Sequence, residues 1–264
     1  MKSRYLNKYT LVSAISIAIF FVVWWFLTAG LKILPTYIMP DPIRVFTTLY
    51  RKFYVRTPEG GTIITHTIAS LQVALLGFFA GSAAGIPLGI LMAWYRWVDR
   101  IARPVFDFLR PIPPIAWIPV MILWFGIGLS ARAAVIFMAS FIPNVINSYT
   151  GIRQTSQVHI WVGRTFGASD FELLTRVAIP SALPNIFTGL RLSLGTSWVS
   201  LVSAEMLAST RGLGYMIQIG RQFSRIDLVI AGMVVIGFLG GILAYILEAV
   251  QNRFVKGRSR YGSK

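Results

Sequence analysis

Apolar residues run along this chain in long unbroken stretches rather than in short alternating ones. Tyr9 to Leu31 is a run of 23 residues without a charge, and Thr67 to Tyr95 is one of 29. Pro111 to Ala131 adds 21, Ala133 to Ile152 adds 20, and Leu228 to Leu247 adds 20. A sixth stretch, residues 185–208, is apolar but contains Arg191 and Glu205. A helix needs about 20 apolar residues to cross a hydrocarbon core of about 30 Å. Barrel strands alternate and are about 10 residues long, which these runs exclude. The pattern predicts an all-α polytopic membrane protein, residues 1–264 forming one domain with six transmembrane helices. Their expected bounds are 9–31, 67–95, 111–131, 133–152, 185–208 and 228–247. The first run is longer than a signal-peptide core and lacks a convincing cleavage site, so it reads as a retained helix.

Within the spans, four features stand out. Gly77, Gly81, Gly85 and Gly89 repeat at spacing four, giving one helix a face without side chains for close packing. Pro111, Pro113, Pro114 and Pro119 predict an irregular third span, since proline removes backbone donors and breaks helices. Trp117 and Trp124 flank that break, and Trp117 is a possible gate residue. Ser193, Thr196, Ser197, Ser200 and Ser203 share one helical face. This stripe either lines a polar pathway or serves hydroxyl-to-carbonyl bonding and tight packing. Arg191 and Glu205 fall on roughly the opposite face, about 21 Å apart by helical rise. Each is expected near a membrane surface as a possible charge site.

The segment 153–185 is the one sizeable loop on its side of the chain. Gly167 offers a helix stop. Ser169-Asp170-Phe171-Glu172 carries a capping-box pattern. Phe171, Leu174 and Val177 fit one helical face, and Pro180 and Pro184 are expected to end the element. A capped surface helix of this kind suits docking of a partner protein. Elsewhere, Asp41-Pro42 can start a helix with proline at its first position. Residues 211–225 form a Gly-rich basic segment.

Composition and charge sharpen the picture. The chain is 55% hydrophobic and 13% charged, with mean hydropathy +0.66, unlike a soluble domain. Its formal net charge is +16. Aromatic residues lie mostly within or beside the spans, as interfacial belts do, which argues against nucleic acid as a partner. Loops on the side holding both termini carry 15 Lys and Arg, and those on the other side carry 9. The positive-inside rule therefore places both termini in the cytoplasm. With no cysteine and only His66 and His159, no metal site is expected. No Gly-Lys dipeptide exists, so there is no phosphate loop of the Walker type. His66 with Glu205 makes a poor catalytic pair for an intramembrane enzyme. An ion-coupled secondary transporter would need more intramembrane carboxylates than Glu205, or an internal repeat.

The spacing of Gly167, nine residues, then Val177-Ala-Ile-Pro180 resembles the cytoplasmic loop signature of ABC importer permeases. The acidic start of that signature is absent, its place taken by Trp161-Val162-Gly163. Residues 110–128 and 204–218 resemble the nitrate/sulfonate/taurine branch, taurine permeases above all. The resemblance implies a type I importer permease in a bacterial inner membrane. Its expected partners are a second copy of the chain, two ATP-binding subunits and a soluble substrate-binding protein. The chain itself would bind no cofactor, with ATP and Mg held by the partner subunit. Gly167, Ala168, Ser169, Phe171, Leu174 and Pro180 would couple to the ATPase, and the hydroxyl stripe would line the pathway. The substrate implied is a small anion, taurine or an alkanesulfonate first, with nitrate, bicarbonate or an aromatic acid as alternatives.

Overall fold

The structure, a computed structural model, describes residues 2–31, 35 and 38–254. The basic tail, 255–264, lies outside the described residues. Every regular element among them is helical. In chain order these are α1 Lys2–Trp25, α2 Pro42–Arg51, α3 Ile63–Trp94, α4 Arg96–Leu109, α5 Ile118–Phe125, α6 Leu129–Arg153, α7 Gln157–Thr165, α8 Asp170–Leu173, α9 Ile179–Ala208, α10 Leu213–Gln222 and α11 Ile226–Phe254. Short 3-10 or π turns precede α5 (Pro114–Trp117), follow α1 (Phe26–Gly30) and join α8 to α9 (Leu174–Ala178).

Three helices, α3, α6 and α9, form the centre, and close approach is what the glycine stripe supplies. A Cβ on Gly77, Gly81, Gly85 or Gly89 would sit 2.7, 2.6, 2.7 and 2.5 Å from the carbonyl oxygens of Ala133, Phe137, Phe141 and Val145. Both series advance by four in the same direction, so α3 and α6 run parallel in one register. A polar seam crosses this contact. Asn144 donates to the hydroxyls of Ser82 (3.0 Å) and Ser193 (3.1 Å), and Ser140 donates to the Phe78 carbonyl (3.0 Å). The Asn144 amide and the Ser140 hydroxyl thus place their donors on partners in neighbouring helices.

The peripheral helices look different. In α1 and α11 only 6% and 11% of the apolar span is buried, against 44% in α3 and in α6. Apolar helices left bare in this way face lipid. Four helices, α1 with its π turn, α3, α6 and α11, are long and apolar enough to cross a membrane. A fifth span exists if α4 and the Pro114–Phe125 helix are taken as one path bent by 88°. The irregularity expected of the span at 111–131 takes the form of this break, because Pro111, Pro113 and Pro114 leave no continuous donor ladder. The expected span 133–152 extends at both ends to Leu129–Arg153. α9 has 30 residues, and its hydroxyls, prolines, Arg191 and Glu205 make it less apolar than the others.

Two further sequence expectations change. Pro180 and Pro184 do not end an element. Pro180 follows directly on the π turn Leu174–Ala178 in a helix that runs unbroken into α9, and Pro184 is accommodated inside that helix. The segment 211–225 is mostly the helix α10. The Asp41-Pro42 start is as expected, with the Asp41 carboxylate accepting the Arg44 amide at 2.9 Å.

Candidate functional site

Two regions hold the candidate residues, one at each end of α3. At the end marked by Trp94, α7 stops in a Schellman turn. Gly167 takes φ +79°, its amide donates to the Arg164 carbonyl (2.9 Å), and the Ala168 amide donates to Gly163 (3.0 Å). Ser169 then opens α8 with a complete capping box: the Glu172 amide donates to its hydroxyl and the Ser169 amide donates to the Glu172 carboxylate at 3.0 Å. The Ser169 amide and hydroxyl hold the Glu172 carboxyl below the usual carboxylate range. Trp94 ties the start of α8 to α3 by donating to Asp170 at 3.0 Å.

The apolar face of this segment is not the one expected from Phe171, Leu174 and Val177. Leu173, Leu174 and Ala178 are buried, Leu174 and Ala178 packing with Ile152, Ala182 and Ile86, while Phe171 points outward. The π turn at Leu174–Ala178 shifts the helical phase and separates the two faces. Phe171 (68% exposed) joins Val158, Trp161, Val162 and Phe166 (86% exposed) as bare apolar side chains on one short segment. Single exposed apolar residues are ordinary, but several within fourteen positions mark a contact surface. Sequence reading missed Trp161 and Phe166. The available signal was two aromatics, Trp161 and Phe166, in a loop between charged residues Arg153, Arg164 and Asp170. Pro180 is exposed where α9 begins.

At the opposite end of α3, Glu205 is fully buried rather than edge-exposed. Segment 209–214 folds back over it, which no periodicity on α9 could show. Ser70 donates to the carboxylate at 2.8 Å and accepts the Leu213 amide at 2.8 Å. The Gly214 amide donates to the carboxylate at 2.9 Å, and the Arg132 guanidinium stands 4.0 Å away. His66 accepts the Gly212 amide at 3.0 Å through Nδ1. Behind His66, Lys52 and Glu59 form a buried ion pair at 2.6 Å. Gly212, at φ +131°, has no room for a side chain: a Cβ would lie 2.4 Å from Glu205. His66 and Glu205 therefore share one network, held by backbone amides of 212–214. Burying an ionised group demands such partners.

The hydroxyl stripe divides. Ser193, Ser197 and Ser200 are buried in the chain, Ser203 is half-buried and Thr196 is exposed. Thr196 donates to the Ala139 carbonyl of α6 at 2.8 Å, and Ser203 to Val199 within α9. Arg191 is exposed and donates to Gln251, tying α9 to α11. Trp117 is half-buried against Met121, Val135 and their neighbours at the proline break. Among the described residues no group of His, Asp and Glu could hold a metal ion.

The polytopic helical bundle carries a capped, aromatic-faced turn at one end, and comparison with known proteins identifies its class as a membrane transport subunit. Residues 85–260 match the family described as binding-protein-dependent transport system inner membrane component. The chain belongs to this family of ABC transporter permeases, multi-pass proteins of the inner membrane. It is 37% identical to the taurine transport system permease protein TauC of Escherichia coli (strain K12), over 94% of this chain and 90% of that one. Its identity to the putative aliphatic sulfonates transport permease protein SsuC of Bacillus subtilis (strain 168) is 32%, over 96% and 88%. With the nitrate import permease protein NrtB of Synechocystis sp. it shares 31%, over 94% and 90%. A chain of the MetNI methionine ABC transporter, solved in inward-facing conformations, has a TM-score of 0.59 at 20% identity, covering 71% of this chain and 94% of that one. That likeness is one of fold.

Proposed function

We propose that this chain is the permease subunit of an ATP-driven importer for a small anion, taurine or another alkanesulfonate first. The observation that carries the reading is the exposed Trp161–Phe166–Phe171 surface, held rigidly by the Schellman turn and capping box and joined without a break to α9. A docking platform continuous with a central helix can transmit a partner's movement into the bundle. The chain carries no phosphate loop, so ATP and Mg belong to a separate subunit. The substrate class follows from the printed names of the taurine, sulfonate and nitrate relatives.

In this reading α9 and the bent α4–α5 path complete six spans, and both termini lie on the side with more basic loops, in the cytoplasm. Gly167, Ala168, Ser169, Phe171, Leu174 and Pro180 form or support the coupling turn. Two copies assemble with two ATP-binding subunits, and a soluble binding protein delivers substrate. The pathway runs along α9, reached through Thr196 and Ser203, with Ser193, Ser197 and Ser200 shaping the wall behind them. Trp117 stands at the proline break, Arg191 braces α9, and Glu205 holds the far end closed.

Co-purification with the cognate ATP-binding subunit tests the coupling surface. Trp161→Asp with Phe171→Asp should abolish it while membrane insertion persists, because each places a charge in a contact meant to be dry. Undiminished retention of the ATP-binding subunit would overturn the assignment.

A further inference from the structure

α2 carries three stripes. Pro42, Val45 and Thr48 are buried against the bundle, and Phe46 and Tyr50 are exposed aromatics. The third stripe is Arg44, Thr47 and Arg51, which at about 100° per residue fall within about 60° of one another. It lines a cavity of about 560 Å³ whose other residues include Lys52, Arg225 and Asp227. The acids there are already engaged. The Asp41 carboxylate accepts the Arg44 amide, and Asp227 accepts from Arg225 (2.7 Å) and from Thr48 (2.7 Å). Lys52 is spent on Glu59. Among the described residues the guanidiniums of Arg44 and Arg51 have no hydrogen-bond or ion-pair partner, though both line one cavity. Two unspent guanidiniums suit a phosphodiester, which takes bidentate contacts.

The surroundings say where such a group would come from. Phe46 and Tyr50 flank the cationic stripe at 51% and 67% exposure, and Phe53 and Tyr54 extend the aromatic surface. Phe46 lies 6.1 Å from the ring of Phe21 on the bare, apolar α1. Exposed aromatics packed beside a lipid-facing helix place α2 against the membrane, from where arginine side chains can reach the headgroup level. We propose that the cavity between α2 and the start of α11 binds the phosphodiester headgroup of an anionic phospholipid, gripped by Arg44 and Arg51, with the acyl chains along α1. This inference rests on the membrane placement alone, so its failure leaves the coupling and substrate readings untouched.

Native mass spectrometry of the purified chain tests it, with phosphatidylglycerol against phosphatidylcholine and with inorganic phosphate as a competitor. The wild type should prefer phosphatidylglycerol. Arg44→Gln with Arg51→Gln should reduce that preference about 30-fold, each cation at a membrane surface being worth about fivefold. The Arg44→Lys, Arg51→Lys pair should retain most of it, which separates charge from misfolding. An unchanged preference in the Gln pair would overturn the proposal. So would displacement of the lipid by millimolar phosphate, which would mark a soluble-anion site. A wild type with no lipid preference whose cavity instead binds polyglutamate would overturn it too, in favour of an acidic protein surface.

Discussion

Replacing Gly212 by alanine perturbs the buried carboxylate network at its tightest point. The new Cβ would lie 2.4 Å from Cδ and Oε1 of Glu205 and 2.6 Å from Oε2. A carbon contact needs at least 3.0 Å, so the carboxylate or the 212–214 backbone must give by about 0.6 Å. Neither is free to move: Ser70 and the Gly214 amide fix the carboxylate, and His66 and Ser70 fix the amides of Gly212 and Leu213. A side chain at φ +131° adds about 1–3 kcal/mol of backbone strain. Losing one hydrogen bond to the buried carboxylate adds about 1.5–3 kcal/mol. The total, about 2.5–6 kcal/mol, corresponds to a fall on the order of 10 °C in unfolding midpoint for a chain of this size. Gly237→Ala is the matched control, since its Cβ meets nothing within 4 Å on the exposed side of α11. It should be neutral or stabilising by up to about 1 kcal/mol. Thermal unfolding of the three proteins in one detergent measures both. Combining Gly212→Ala with Glu205→Ala should cost less than the sum of the single changes, because the clash disappears with the carboxylate. Equal midpoints for Gly212→Ala and Gly237→Ala, or strict additivity in the double variant, would refute the reasoning.

Two other outcomes follow from the same geometry. Gly85→Val should prevent accumulation of folded protein, because its Cβ would lie 2.7 Å from the Phe141 carbonyl and neither helix can withdraw without opening the Asn144 seam; normal yield and midpoint would contradict it. Ser169→Ala should speed amide exchange over 172–178 about fivefold at pH 7, the loss of a cap costing about 1 kcal/mol. Because the Glu172 carboxyl is held below its usual range, its contribution is present above the unfolded value and fades as pH falls through the folded one. The gap between wild type and variant should therefore narrow only in acid, and a gap independent of pH would contradict the capping account.

Much of this was legible in the sequence. Spacing four in the glycines announced a close helix contact, and it occurs within the chain, against α6. Ser169 and Glu172 announced the cap, and Asp41-Pro42 the start of α2. All three are local patterns whose physics acts within a few residues. What the sequence hid was longer in range. Pro180 reads as a stop, but the π turn just before it carries the helix on into α9 without a break. Glu205 reads as an edge residue because its partners are Ser70 and Arg132, more than seventy residues upstream, and amides beyond the end of its own helix. Phe171 reads as sharing one face with Leu174 and Val177, but the segment departs from an ideal helical period, so Phe171 stands outward while Leu174 is buried. The hydroxyl stripe reads in the sequence either as a pathway lining or as packing. Ser193 packs against Asn144, and Thr196, though exposed, bonds the Ala139 carbonyl of α6.

The central claim is that this chain moves an anion only when a separate subunit hydrolyses ATP. Uptake of radiolabelled taurine into proteoliposomes tests it most directly, with the cognate ATP-binding subunit and binding protein present or withheld and ATP supplied on the side of the ATP-binding subunit. The account predicts uptake only with all components and ATP, none from the permease alone under a proton or sodium gradient, and competition by other alkanesulfonates. Gradient-driven uptake by the permease alone, or ATP-dependent uptake confined to a cation or a neutral sugar, would contradict it.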